Sequence, residues 1–402
     1  MMLLVGAMAA PAAAVDGGHV WTRQFGTSQY DQVVAMAVDA GGVYAAGSTQ
    51  GGLQGANKGS WDGFVRKYDH DGKHLWTRQF GTFAVDGVNG LAATADGVYA
   101  AGSTYGSLQG LSKGKYDGFV RKYSSDGKHL WTRQFGTPQD DYVYGVAVDA
   151  TGVYLAGSTA GSLQGTNKGN HDGFVRKYDH NGKLLWTRQF GTSLYDEALG
   201  VAAHAGAVYA AGTTLGSLQG VNKGNVDGFV RKYNADGKYL WTRQFGTPES
   251  DGAHGVAADS SGVYAAGTTT GSLQGTSNGV QDGFVRKYSP DGKHLWTRQF
   301  GTNMEDYVHG VAVGATEVYA VGQTTGLMQG TYKGSSDGFV RMYGLNGHGT
   351  WTRQFGTTTA DMAFGVAVNA GGVYVGGRTY GSLKGASKGS WDGFVRKHGT
   401  AG

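Results

Sequence analysis

The chain has 402 residues with 74 glycines, 4 prolines and no cysteine, a composition that excludes a disulfide-stapled domain and thiolate metal sites. Its 34 basic and 30 acidic residues, net charge +4, are mixed throughout without a basic run, so nucleic acid is not an expected partner. The glycines recur at fixed positions instead of in tracts, which excludes collagen and linker sequence.

At the N-terminus Met1 to Ala14 is apolar and ends in small residues, like the core and cleavage site of a secretory signal, but it lacks a basic leading segment. Residues 1–18 are accordingly read as a truncated signal peptide or a disordered tail. The stretch is too short to span a bilayer, and no other segment is a candidate transmembrane helix. The heptapeptide Trp-Thr-Arg-Gln-Phe-Gly-Thr then begins at Trp21 and returns at Trp76, Trp131, Trp186, Trp241, Trp296 and Trp351, always 55 residues apart. Such a period means one supersecondary unit repeated, each copy burying the apolar face of its neighbour.

Within a unit, Val33 to Val38 is a first apolar run, followed by an Asp39–Gly42 turn and a second run, Val43 to Thr49. A longer segment, 50–61, leads to Asp62–Tyr68, and an Asp-Gly turn joins this to His74–Phe80. The runs are short, rich in Val, Tyr, Phe and Trp, and show no helical period, so they predict four strands per unit, the size of a propeller blade. A parallel β-helix fits poorly with coils of 55 residues and Asp-Gly hairpins.

The chain ends complement each other. An orphan fourth strand, 19–27, precedes the first unit, and the last unit supplies only three strands. The expected fold is all-β: a single seven-bladed propeller of four-stranded blades over residues 19–399, closed by pairing 19–27 with the last three strands, with 400–402 a tail. The small first strand, as in Gly145-Val146-Ala147-Val148, is expected innermost, and the aromatic third and fourth strands farther out.

The pattern Trp76, Phe80-Gly81-Thr82, Asp86, Gly97-Val98-Tyr99-Ala100-Ala101-Gly102-Ser103-Thr104, Gly110, Asp117-Gly118-Phe119-Val120, Lys122-Tyr123, Asp126-Gly127 resembles the bacterial SBBP β-propeller repeat. The likeness extends over residues 19–399. It implies a propeller in an exported or surface-associated bacterial protein and no defined activity. The repeats here are more alike than in such arrays generally, which points to recent duplication or recombination.

Residues that recur in every copy are explained first by what every blade needs. One ring of aspartates follows the fourth strand (Asp31, Asp86, Asp141 and equivalents) and another opens the third (Asp62, Asp117, Asp172 and equivalents). They are expected to cap turns or to pair with Arg23, Arg78 and their equivalents; the alternative is a ring of Ca²⁺ sites, because hard cations take several carboxylate oxygens. No motif requires any other cofactor. Asp69-His70-Asp71-Gly72 resembles a calcium loop only superficially and reads as a hairpin turn, while His70 and His74 flank that turn and do not make a helical zinc pair.

Counting strands places the short hairpin turns on one face and the fourth-to-first and second-to-third connections on the other. Two columns on this loop face vary between otherwise near-identical copies. The first is Val34, Asn89, Tyr144, Leu199, His254, His309, Phe364; the second is Trp61, Tyr116, His171, Val226, Gln281, Ser336, Trp391. Drift on solvated loops produces such variation, and so does a binding face on a rigid scaffold. The candidate ligand-binding residues are Trp61, Tyr116, His171, Trp391, Tyr144, His254, His309 and Phe364, with Trp61 and Trp391 placed side by side by ring closure. The expected function is a non-catalytic exported scaffold binding a glycan or protein. The alternative is a propeller-type polysaccharide lyase or glycosidase, with Asp140 beside Asp141 or Glu305 beside Asp306 as acids at the channel mouth. The sequence is compatible with a monomer and does not fix the oligomeric state.

Overall fold

The computed structural model describes residues 17–400; the Met1–Ala14 stretch read as a leader, and the end of the C-terminal tail, lie outside them. Among the described residues, seven four-stranded antiparallel sheets form a ring and no helix is present. The first blade runs Asp31–Asp39, Gly42–Thr49, Asp62–Tyr68 and His74–Phe80 in hydrogen-bonded order, and the others repeat it. The second strand is buried along its whole length, so its Gly-Val-Tyr-Ala-Ala-Gly composition is apolar on both faces instead of alternating.

Small residues in that strand solve a local problem. In the first blade Val33 pairs with Gly47 and Ala35 with Ala46, so Val34 is an extra, unpaired residue on the inner strand, a β-bulge. The bulge drives the Gln32 carbonyl against Gly47, where a Cβ would lie 2.0 Å from the oxygen. Only glycine fits. The same bulge and the same glycine recur in every blade, with Gly157 against Tyr142 O and Gly212 against Glu197 O.

The heptapeptide ties each blade to the next. Phe80 meets Phe119 edge-on at 5.7 Å, and Trp76 lies between Tyr44 of its own blade and Tyr123 of the next. Trp76 Nε1 donates to Ser125 O at 3.2 Å, and Arg78, stacked on Trp76, donates from Nε to Gly127 O at 2.7 Å. These bonds end on the third-to-fourth turn of the following blade. The expected pairing of Arg23 and Arg78 with the aspartate rings is therefore not what forms: the guanidiniums cap carbonyls at the turn face, whereas the aspartates sit at the loop face.

Closure follows the predicted exchange. His19–Phe25 pairs with Asp392–His398, setting Trp21 opposite Lys397 and Phe25 opposite Gly393. One residue at this seam departs from the other blades. His398 occupies the place of Tyr68, Tyr123, Tyr178, Tyr233, Tyr288 and Tyr343, whose hydroxyls accept from an arginine, as Tyr68 does from Arg66 Nε at 2.8 Å. His398 Nε2 accepts from Arg396 Nε at 3.2 Å, and Nδ1 stands 3.2 Å from Gly17 O. Burial, then the Arg396 charge, pushes the imidazole down to about 3, so it is neutral in the closed ring. Between pH 6.5 and about 3 the unfolded chain binds a proton here that the native ring does not, so stability falls as pH falls through that window. His398→Tyr removes this contribution. Urea unfolding at pH 7 and pH 5 is expected to show the variant losing about 2 kcal/mol less than the parent on acidification; equal losses would show that the imidazole is not held neutral in the seam.

Candidate functional site at the channel mouth

The bulge residues are the first variable column. Val34, Asn89, Tyr144, Leu199, His254, His309 and Phe364 each fall between two paired residues of an inner strand, and together they line a cavity of about 350 Å³ at the loop-face mouth of the channel. Below them the glycine-rich inner strands narrow the channel to a waist of about 150 Å³. A scaffold shared by seven blades thus turns seven side chains of six kinds to one opening.

The second column stands farther out, at the blade junctions. Trp61 bridges Val85, His171 bridges Tyr195 and Trp391 bridges Tyr30, each the residue before an aspartate that opens an inner strand. The two columns meet in two places, through residues that belong to neither. On one side Tyr30 lies between Trp61 and Trp391, at 5.0 and 6.0 Å, which bears out their proximity. Arg378 lies over Trp391 at 4.6 Å and over Phe364 at 5.3 Å, donates to Gln32 Oε1 at 3.1 Å, and keeps a buried Nε with no acceptor. On the other side Tyr142 touches Tyr116, Tyr144 and His171, and His171 contacts Tyr195 at 4.5 Å. Glu197 joins this cluster by accepting from Tyr144 at 2.8 Å and Tyr195 at 3.1 Å.

Between the clusters, His254 Nδ1 stands 2.9 Å from Val308 O, and His309 lies parallel to Tyr307 and 5.0 Å from Phe364. Burial and the neighbouring His254 push His309 down to about 4, and burial lowers His254 as well, so both are neutral at pH 7. The residues missed from sequence are Tyr30, Tyr142, Tyr195, Glu197 and Arg378. A signal existed for two of them, Tyr142 and Glu197: two positions before the bulge the copies read Gln32, Gly87, Tyr142, Glu197, Gly252, Tyr307 and Met362, a third variable column.

With this geometry in view, comparison with known proteins is informative. A family model described as a β-propeller repeat, SBBP, matches residues 130–164. That segment is one copy of the 55-residue unit that recurs around the ring. The propeller is 29% identical over 352 residues to the regulatory protein FlaEY of Caulobacter vibrioides, covering 76% of this chain; it spans only 37% of that relative's length. Among solved structures the WD40 β-propeller domain of Doa1 superposes with a TM-score of 0.53 at 11% identity, covering 96% of this chain and 97% of that one, a likeness of fold.

The aspartates that recur in every copy act on the loops that frame the mouth. Asp31 Oδ2 accepts from Thr27 N at 2.6 Å and Thr27 Oγ1 at 2.9 Å, while its Oδ1 accepts from Thr49; Asp86 and Asp141 repeat these contacts. Asp62 Oδ2 accepts from Gln79 Nε2 and Lys58 N, and its Oδ1 points at the Cα of Gly81, where a Cβ would lie 2.2 Å away. Asp117 and Asp172 do the same. Of the six calcium candidates, Asp31, Asp86 and Asp141 have both carboxylate oxygens hydrogen-bonded, whereas Oδ1 of Asp62, Asp117 and Asp172 is buried without a hydrogen-bond partner, and among the described residues no three His, Asp or Glu side chains converge on a point. The acid pairs expected for catalysis diverge: Asp141 and Asp306 are buried in this capping, Asp140 accepts from Tyr116 N, and Glu305 is exposed.

Two glycines of one repeat separate a packing role from a turn role. Gly157→Ala sets a Cβ 1.9 Å from Tyr142 O, whereas Gly165, at φ +73°, has open space around it. Urea denaturation is expected to show a loss of about 3 kcal/mol for Gly157→Ala against about 1 kcal/mol for Gly165→Ala, with the near-ultraviolet signal of Tyr144 changed only in the former. Equal losses would mean that the bulge does not depend on the missing Cβ.

Proposed function

We propose that the protein is a binding scaffold whose loop face takes a glycan at the channel mouth without cleaving it. The observation that carries this reading is the pair of half-buried aromatic clusters flanking the cavity, one holding a carboxylate and the other a guanidinium. Aromatic rings offer apolar faces to the C–H faces of sugars, and the half-buried Gln32, Asn89 and Glu197 supply partners for hydroxyls. An exported protein suits such a ligand, and the Met1–Ala14 stretch supports export.

A protein partner is favoured by a different observation. Phe83, Leu111 and Val221 on loops of this face are 86%, 89% and 83% exposed, and exposed apolar loops of this kind commonly mark protein contacts. Calorimetry against a panel of polysaccharides, with a reducing-end assay alongside, decides between the readings. The expected outcome is saturable binding of at least one polysaccharide with no new reducing ends, and a loss of roughly tenfold or more in affinity on combining Trp61→Ala with Trp391→Ala at unchanged melting temperature. Polysaccharide binding untouched by both substitutions, or a panel with no binder alongside capture of an envelope protein, removes the glycan reading. New reducing ends restore the hydrolase alternative.

A further inference from the structure

Four tyrosines run in a row from the rim of the loop face to the channel mouth. Tyr105 contacts Tyr116 at 5.1 Å, Tyr116 contacts Tyr142 at 5.1 Å, and Tyr142 lies nearly parallel to Tyr144 at 6.1 Å. At the inner end stands Glu197, half-buried among Tyr142, Tyr144, His171 and Tyr195. Its three protein donors, Tyr144, Tyr195 and Ser158, all go to Oε1, which leaves Oε2 without one. The Glu197 carboxylate acts on Tyr142, Tyr144 and Tyr195, and that of Asp140 on Tyr142 and Tyr195. The blades do not need this carboxylate, because the other six copies hold Gln, Gly, Tyr or Met in its place.

We propose that this basin binds a glycan carrying an unacetylated amino sugar, with the protonated amine on Glu197 Oε2 and successive sugar rings along the tyrosine row; this rests on the glycan reading above. An ammonium group supplies what the basin lacks, a positive charge and N–H donors for a carboxylate oxygen whose partner is already fixed by three hydroxyls. The ring faces around it attract the same charge. A lysine side chain would satisfy Glu197 equally well, but it leaves Tyr105 and Tyr116 unused, whereas a chain of pyranose rings has an apolar face for each of them. Acetylation of the amine removes the charge and most of the donors while leaving the rest of the sugar intact, so it tests the carboxylate alone.

Calorimetry compares a glucosamine oligomer, the N-acetylglucosamine oligomer of the same length, and an oligo-lysine peptide. The parent protein is expected to bind the glucosamine oligomer at least tenfold more tightly than the acetylated one, the value of one charge-assisted hydrogen bond, and to lose that preference as salt is added. Glu197→Gln is expected to bring the two oligomers to near parity at unchanged melting temperature, and Tyr116→Ala to weaken both alike. Equal binding of the two oligomers by the parent, or a preference that survives Glu197→Gln, overturns the amine site and leaves glycan binding standing. Binding of oligo-lysine with neither oligomer overturns the glycan reading itself.

Discussion

Everything at the channel mouth depends on one contact without room for a methyl group: the glycine of each second strand against the carbonyl that precedes the inner-strand bulge. At Gly157 a Cβ would fall 1.9 Å from Tyr142 O, and at Gly322 only 1.7 Å from Tyr307 O. A regular ladder would give the inner strand strict alternation, and the residue at position 34 or 144 would follow the pleat. The bulge breaks that alternation once per blade and turns the extra side chain to the axis. The side chain at the mouth is thus one the ladder does not use, so it is free to differ between blades.

The opposite end of each blade carries the cohesion. Trp76, Arg78 and their equivalents reach across to the next blade's turn and bond its carbonyls. Because these contacts cluster toward the turn face and outer rim, the loop face needs only the aspartate caps to hold its shape. A ring held from one side can vary on the other at little cost in stability. The closing blade uses the same contacts, since Trp21 Nε1 donates to His70 O and Arg23 Nε to Gly72 O as in every other blade. What differs at closure is His398, an imidazole where the other six blades hold a tyrosine.

The period of 55 residues and the complementary ends were enough to read the fold, the closure and the two faces, because a repeated unit must bury its apolar face on its neighbour. The aspartates were misjudged in one respect. Arg78 and Asp86 are eight positions apart, but the arginine side chain reaches the next blade's turn while the aspartate caps the loop beyond Gly81, a separation of faces that spacing does not reveal. The bulge was not legible either: Val33 to Val38 reads as an ordinary apolar strand, and the register shift depends on what Gly47 faces. The mouth residues were nevertheless found, because variation against a near-identical background marks them directly. Glu197 and Arg378 escaped that reading because the column of Glu197 holds Gly87 and Gly252 and that of Arg378 holds Ser48, Ser103, Ser158, Thr213 and Thr268, so the variation looks like that of loose solvent positions.

Repetition separates scaffold from site in this molecule. A residue present in every blade, like the aspartates or the bulge glycine, answers to a need that every blade shares, and no asymmetric ligand can be recognised by a ring of equals. Glu197 belongs to the fourth blade, with Tyr142 and Tyr144 in the third beside it, while Arg378 belongs to the seventh. The mouth therefore has an acidic side and a basic side, with neutral His254 and His309 on the arc between them. A ligand that lies across it meets a carboxylate at one end and a guanidinium at the other, so charge at the two sides sets which way round it binds, and the aromatic rings set which of its faces is covered.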